Sequence, residues 1–202
     1  MVTGGFANGN WEIYGDFERQ AIYAQLSEKE MLALVKGYGI YSSIGKNIEE
    51  VSKSLYEGKS GIIFDPLRKE FGYQSALTGM VESPILKDKL DRRARLMLPE
   101  QGEYAYMSTI EALKNANLDQ NYLDENEVGI IFGNDSSAKP VIDATDIIRE
   151  KKNTQFAGSG SVFQSLNSTV TMNLATIFRL KGINFTVSAA CASGSQAIGL
   201  GF

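Results

Sequence analysis

The sequence contains no histidine. That absence excludes Ser-His-Asp and Cys-His catalysis within these 202 residues. It also removes the commonest transition-metal ligand, and the single cysteine, Cys191, cannot build a thiolate site, so no metal is expected. One cysteine cannot form an intrachain disulfide, so an oxidising compartment is not implied. Long apolar runs are missing as well. The longest, such as Val128 to Phe132, are far too short to span a bilayer. The opening Met1-Val2-Thr3-Gly4-Gly5 lacks the basic stretch and apolar block of a secretory signal. A cytoplasmic location without membrane attachment is therefore expected. A basic excess is absent too. The net charge of −4 is a poor match to nucleic acid, whose phosphates call for a basic face.

What is present is the composition of a globular domain. Hydrophobic residues make up 43% and charged residues 22%, which is too apolar for a disordered chain. The length suffices for one domain with one sizeable core.

Strand-like and helix-like stretches alternate. Leu32 to Val35, with Ile40 beyond Gly37 and Gly39, reads as a buried strand followed by a tight turn. Asn47 with Glu50 three residues on forms a capping box, opening a helix that buries Ile48, Val51 and Leu55 and ends at Gly58. Phe64 to Ser83 reads as irregular. A second helix is expected from about Pro99 to Ala116, with Tyr106, Ile110, Leu113 and Ala116 as its buried stripe.

The run Val128 to Phe132 suits a strand covered on both faces, with Gly133 to Ser137 as the loop after it. Val141 to Lys151 reads as a short helix. Gly158-Ser159-Gly160-Ser161 reads as a flexible loop without the spacing or lysine of a phosphate-binding loop. A helix from about Ser165 to Leu180 ends at Gly182. Ile183, Phe185 and Val187 then alternate with polar residues, the period of a strand. Gln196 to Leu200 is expected to be helical. Strands alternating with helices imply a layered α/β fold with a largely parallel sheet.

Cys191 thus falls at a strand-to-helix junction. A lone cysteine is commonly just a small buried hydrophobe. Here the surroundings also suit a nucleophile. An ordinary thiol has a pKa near ~8.5, and a helix N-terminus favours its thiolate. A sharp strand-to-helix turn projects a side chain outward. Ala189, Ala190, Ala192, Ser193 and Gly194 are small enough to admit a thioester. They also let the Cys191 backbone N–H point at an oxyanion.

Ser188-Ala189-Ala190-Cys191-Ala192-Ser193-Gly194, with Ala197-Ile198-Gly199 beyond, resembles the active-site signature of the β-ketoacyl-[acyl-carrier-protein] synthases. Gly37-Tyr38-Gly39-Ile40-Tyr41-Ser42-Ser43-Ile44-Gly45 resembles the first strand-turn segment of that family, and Glu57-Gly58-Lys59-Ser60-Gly61-Ile62 resembles the segment just after its first helix. Leu90-Asp91-Arg92-Arg93 and Phe178-Arg179-Leu180-Lys181-Gly182 also fit. The resemblance covers residues 37–202, a truncated N-terminal domain of the family. Residues 1–36 stand as an atypical leader with a helical pattern from Glu12 to Leu34 where the family has a strand.

The resemblance implies a thiolase-like N-terminal half and a homodimer. It implies a decarboxylative Claisen condensation in which Cys191 takes an acyl group from acyl carrier protein and malonyl carrier protein supplies the carbanion. No cofactor is implied beyond the carrier's phosphopantetheine. Basic residues dock the acidic carrier in this family, and Arg92, Arg93 and Arg95, beside Lys87 and Lys89, form the most basic stretch here. The alternative for that stretch is a solvated helix face, softened by Asp88 and Asp91.

The family's second half, with two catalytic histidines, a lysine and part of the oxyanion hole, is not in this sequence. The chain alone is expected to be acylated slowly at most, and to associate through apolar side chains left uncovered, at about 1.5–3 kcal/mol each. Three other readings stay open: a thiolase-type acyltransferase using coenzyme A, a non-catalytic partner subunit, and a fragment with no independent role. Residues near Asn167 to Leu174 are only part of any acyl pocket, so chain length is not legible.

Overall fold

The computed structural model describes residues 36–201. The expected strand over Leu32 to Val35 and helical pattern over Glu12 to Leu34 lie outside the described residues.

The chain enters along α4 (Glu100–Asn115). Gly37 and Gly39 were expected to make a tight turn. They are contact positions instead. A Cβ at Gly39 would lie 2.0 Å from the Ser108 carbonyl oxygen, and one at Gly37 2.3 Å from that of Ala112. Only glycine lets the two backbones come so close. The tight turn comes later, at Ser42–Gly45, where the Ser42 N–H donates to the Gly45 carbonyl at 2.8 Å. The crossing covers the Ser108 end of α4, while Gly102 lies against Leu98, Ala105 and Tyr106 join the core, and Ile110 and Leu113 are only partly covered. The Glu111 carboxylate accepts from the Ile40 N–H at 2.9 Å and the Ile48 N–H at 2.8 Å. It thereby ties the entering segment to the start of the helix that opens at Ile48.

Helix α1 (Ile48–Tyr56) opens as expected. The Asn47 side chain accepts from the Glu50 N–H at 2.9 Å. Glu50 returns the bond one residue early, to the Lys46 N–H. Gly58 closes the helix with φ of +66°. Val51 is buried, but Leu55 is 66% exposed, against expectation. Ser54 is the buried residue on that turn, and its hydroxyl donates to the Ile44 carbonyl at 2.6 Å.

The stretch expected to be irregular, Phe64 to Ser83, holds a short helix, α2 (Pro66–Glu70), and a strand, β2 (Leu77–Gly79), which pairs antiparallel with β1 (Ile62–Phe64) at its start. Their residues are largely exposed, so no buried alternation marked them in the sequence. Tyr104 and Tyr41 anchor the chain after β2, donating to the Val81 and Glu82 carbonyls respectively.

Helix α3 (Arg92–Met97) is capped by Asp91, which accepts from the Ala94 N–H. Its last carbonyls need partners. Gln164 donates to Leu96 O at 2.8 Å and Asn173 to Met97 O at 3.1 Å. The core gathers Leu86, Leu98, Tyr106, Leu123, Val170, Leu174 and Phe178. Tyr106 and Phe178 stack at 5.6 Å.

The innermost element is α8 (Thr169–Ile177), whose Thr169, Val170, Thr171 and Leu174 are wholly enclosed. It starts later than expected because α7 (Gly160–Gln164) precedes it, taking Gly160 and Ser161 out of the expected loop. It ends at Arg179, left-handed with φ of +56°, rather than at Gly182. Helix α5 (Gln120–Glu125) grips that end. Gln120 donates to Phe178 O at 2.9 Å, and Arg179 pairs with Asp124 at 2.6 Å. Helix α6 (Lys139–Lys151) has no buried residue.

β3 (Ile130–Gly133) pairs in parallel with β4 (Asn184–Val187), with Gly133 opposite Val187. Helices α8 and α9 (Ser193–Gly201) pack on this pair, which is the layered, parallel part of the fold. The expected full covering of β3 is partial: its residues, which alternate between the two faces, are all half-buried, with β4 its one paired neighbour among the described residues. Burial along β4 does not follow its alternation: Asn184 and Phe185 are exposed, and Thr186 and Val187 are half-buried. Thr186 bonds Thr171 of α8 at 2.8 Å and Asn184 donates to the Thr171 carbonyl, so the enclosed threonine of α8 finds polar partners on the strand. Ile183 is exposed as well. Among the described residues no helix is long and apolar enough to cross a membrane.

Candidate active site

The parallel pairing sends two loops out at one end. The loop after β3 runs from Asn134 to Ala138, and the turn after β4 carries Cys191. In open parallel sheets, ligand sites form beyond the carboxyl ends of the strands.

Cys191 lies in a single 3-10 turn, Ala190–Ala192, joining β4 to α9. It is free and exposed. The junction expected from the sequence is therefore present, although α9 begins at Ser193, earlier than the expected Gln196.

Three devices shape the turn. The first is Gly133. A Cβ there would lie 2.4 Å from the Ser193 carbonyl carbon and oxygen and 2.5 Å from the Gly194 nitrogen. The absent side chain lets α9 start directly against the end of β3. The second is Ser193, itself buried. Its hydroxyl accepts from the Ala189 N–H at 2.9 Å and donates to the Ala190 carbonyl at 2.7 Å. It closes the turn from inside, alongside the Ala192 N–H bond to Ala189 O at 3.0 Å. The third is Asp135. Its carboxylate accepts from the Ser188 hydroxyl, and that bond, followed by the nearby Ala190 backbone N–H, holds its pKa below the ordinary value.

Ala190 is left-handed, with φ of +47°. A non-glycine residue there is uncommon and is held by its surroundings. The strain sits immediately before the sulfur-bearing residue. The loop that carries Asp135 is itself fixed. Asn134 is buried and donates to Asn167 O at 2.7 Å and to Ser137 Oγ at 3.2 Å, and Gln101 of α4 donates to Ser137 Oγ at 2.8 Å.

Arg92 and Arg93 are exposed on α3. With Leu96, Met97, Gly158–Ser161 and Gln164 they line an open groove of about 720 Å³. Arg95 is not in that lining. It is half-buried, and its Nε is enclosed without a hydrogen-bond partner. Cys191 is not in the groove either, so the structure does not bring the arginines and the thiol into one pocket. A second, apolar cavity of about 210 Å³ lies between α4, α8 and β3, and of the stretch Asn167 to Leu174 only Leu174 reaches it.

Gly133, Asn134, Asp135 and the hydroxyl of Ser193 were not singled out from the sequence as site residues. The usable signal was a polar, small-residue loop directly after a strand of a parallel pair.

Residues 33–202 match the family described as "Beta-ketoacyl synthase, N-terminal domain". Curated relatives include "3-oxoacyl-[acyl-carrier-protein] synthase 1" of Escherichia coli K12, 33% identical over 83% of this chain and 41% of the relative. The protein of the same name from Buchnera aphidicola subsp. Baizongia pistaciae is 32% identical over 82% of this chain and 41% of the relative. The chain therefore spans about two fifths of the length of these relatives. Among solved structures, a β-ketoacyl synthase from Burkholderia phymatum STM815 superposes with a TM-score of 0.70 at 22% identity, covering 82% of this chain and 41% of that one. A type II polyketide ketosynthase in complex with its acyl carrier protein superposes with a TM-score of 0.64 at 19% identity, covering 82% of this chain and 44% of that one. The fold is accordingly the N-terminal half of a thiolase-like ketosynthase, and the chain belongs to the β-ketoacyl synthase family.

Proposed function

We propose that Cys191 is the acyl-accepting nucleophile of a condensing enzyme in fatty-acid or related polyketide synthesis. The observation that carries this reading is the exposed thiol on a strained turn between β4 and α9. The thiolate attacks the carbonyl carbon of a carrier-bound thioester. The oxyanion that forms is stabilised by backbone N–H groups, that of Cys191 among them, and the phosphopantetheine thiolate departs. The acyl group is then held on Cys191 for attack by the carbanion that malonyl carrier protein yields on losing carbon dioxide.

These 202 residues contain no histidine, so they hold no imidazole to assist that decarboxylation. Their own expected chemistry is acyl transfer to sulfur without condensation. The partner is an acyl carrier protein, with the exposed Arg92 and Arg93 of α3 as its docking charges. Arg95, half-buried, contributes less. Support for pairing with a second copy comes from the exposed Ile183 and Phe185 at β4, whose other edge is unpaired among the described residues.

The test is mass spectrometry of the chain after incubation with an acylated carrier protein. The expected result is one acyl adduct on the Cys191 peptide and none in Cys191→Ser. Equal labelling of the serine variant would end this reading. Acylation by acyl-coenzyme A but not by the acyl carrier would shift it to a thiolase-type transferase.

A further inference from the structure

Asp135 stands apart from the chemistry assigned to Cys191, yet among the described residues it is the one carboxylate that bonds the turn's approach. It lies two residues past Gly133, and Ser188 lies one past Val187. The in-register pairing of Gly133 with Val187 therefore brings the two loops side by side. The carboxylate accepts from the Ser188 hydroxyl, two residues before the strained Ala190, and the Ala190 N–H lies near enough to favour its ionised form. Ser193 binds the same turn from the other end, through Ala189 N–H and Ala190 O.

We propose that Asp135 is a positioning residue that clamps the nucleophile turn, holding Ala190 left-handed so that Cys191 is presented for acyl transfer. This rests on the reading of Cys191 as the acyl acceptor.

The physical case has three links. A left-handed alanine is disfavoured and persists only where neighbours over-determine it. Without the carboxylate, the Ser188 hydroxyl loses its acceptor and the Ala190 N–H its neighbouring anion, and the turn can relax. A hydrogen bond to an ionised group is stronger than a neutral one. Finally, the Asp135 backbone is not free to follow a relaxing turn. Its neighbour Asn134 is locked to Asn167 O, and Ser137 is held by Gln101. The chain Gln101–Ser137–Asn134 thus fixes the loop to α4 and to the entry of α8, and Asp135 passes that rigidity to the turn. The lowered pKa of Asp135 agrees with this, since the Ser188 bond first and the nearby Ala190 N–H second favour the ionised form.

Asparagine at this position retains a side-chain oxygen that can still accept from the Ser188 hydroxyl. Alanine keeps no acceptor. The experiment uses the whole chain as wild type, Asp135→Asn, Asp135→Ala and Ser188→Ala. Two readouts are taken on each. One is amide hydrogen exchange over residues 188–193. The other is the rate of Cys191 acylation by hexanoyl-N-acetylcysteamine against its alkylation by iodoacetamide, which needs only an accessible thiol.

Asp135→Ala should raise exchange at Ala190 by about tenfold or more and slow acylation by a similar factor, with alkylation changed less than about threefold. Asp135→Asn should restore both readouts to within about threefold of wild type, and Ser188→Ala should fall between. Unchanged local exchange in Asp135→Ala would overturn the clamp. So would a failure of the asparagine variant to recover. If Asp135→Ala melts early as a whole, Ser188→Ala with an intact melt decides through the same exchange readout. A wild-type chain that is alkylated but never acylated would defeat the Cys191 reading alone, leaving the exchange data to judge the clamp.

Discussion

Replacing Gly133 by alanine adds one methyl group at the point where β3 meets the start of α9. Its carbon would lie 2.4 Å from the Ser193 carbonyl carbon and 2.5 Å from the Gly194 nitrogen. Non-bonded heavy atoms sit best about 3.5–4.0 Å apart, so one side must retreat by roughly 1 Å. The obstacle is backbone, not the far end of a flexible side chain. Overpacking of this kind costs about 1–3 kcal/mol, and a backbone obstacle puts the expectation near the upper figure. For a chain of this size each kcal/mol moves the melting temperature by about 2–4 °C, so a fall of about 6–12 °C is expected. The retreat also moves Ser193, whose hydroxyl holds Ala189 and Ala190. A displacement of about 1 Å at a reacting group can cost on the order of a hundredfold in rate. Thermal melting and Cys191 acylation would be measured together on Gly133→Ala. Gly158→Ala is the control, because a Cβ there meets nothing within 4 Å. If both variants melt with wild type and acylate at its rate, the close approach does not shape the turn and the reasoning fails.

Glu111→Ala removes the acceptor of the Ile40 and Ile48 N–H groups and should cost about 2 kcal/mol by denaturant titration, with Glu111→Gln losing less. Glu103 has its pKa raised, first by burial and then by the charge of Glu100. A raised carboxyl favours the folded state below its ordinary value and loses that contribution as pH rises through the folded value. Glu103→Gln should therefore raise the melting temperature near pH 7 and leave it unchanged near about pH 3.5. Reversing Arg92 and Arg93 together to glutamate should weaken carrier-protein binding at least tenfold at low salt, read by titration calorimetry, with the difference shrinking as salt is added. Equal affinity at low salt would remove α3 from the docking surface.

Local signals in the sequence translated directly into structure. Asn47, Glu50 and Gly58 bracket α1 because capping is decided within a few residues. The small residues around Cys191 announced the turn for the same reason. What escaped reading depends on partners far along the chain. The small face of α4 follows from a backbone crossing at Gly37 and Gly39, more than sixty residues earlier. Phe185 of β4 stays exposed while Thr186 is bonded to Thr171 of α8, which no alternation rule can anticipate. β1 and β2 escaped because exposed strands leave no buried period. Asp135 was invisible as a site residue because its meeting with Ser188 needs the register of β3 against β4.

That register also sets when the thiol matures. Between Ile130 and its partner Asn184 lie helices and loops that can form before the strands meet. Bringing such distant stretches together requires closing a long loop first, which slows pairing relative to local helix formation. During refolding, competence for acyl transfer at Cys191 should appear with the slowest phase, after helical signal has recovered.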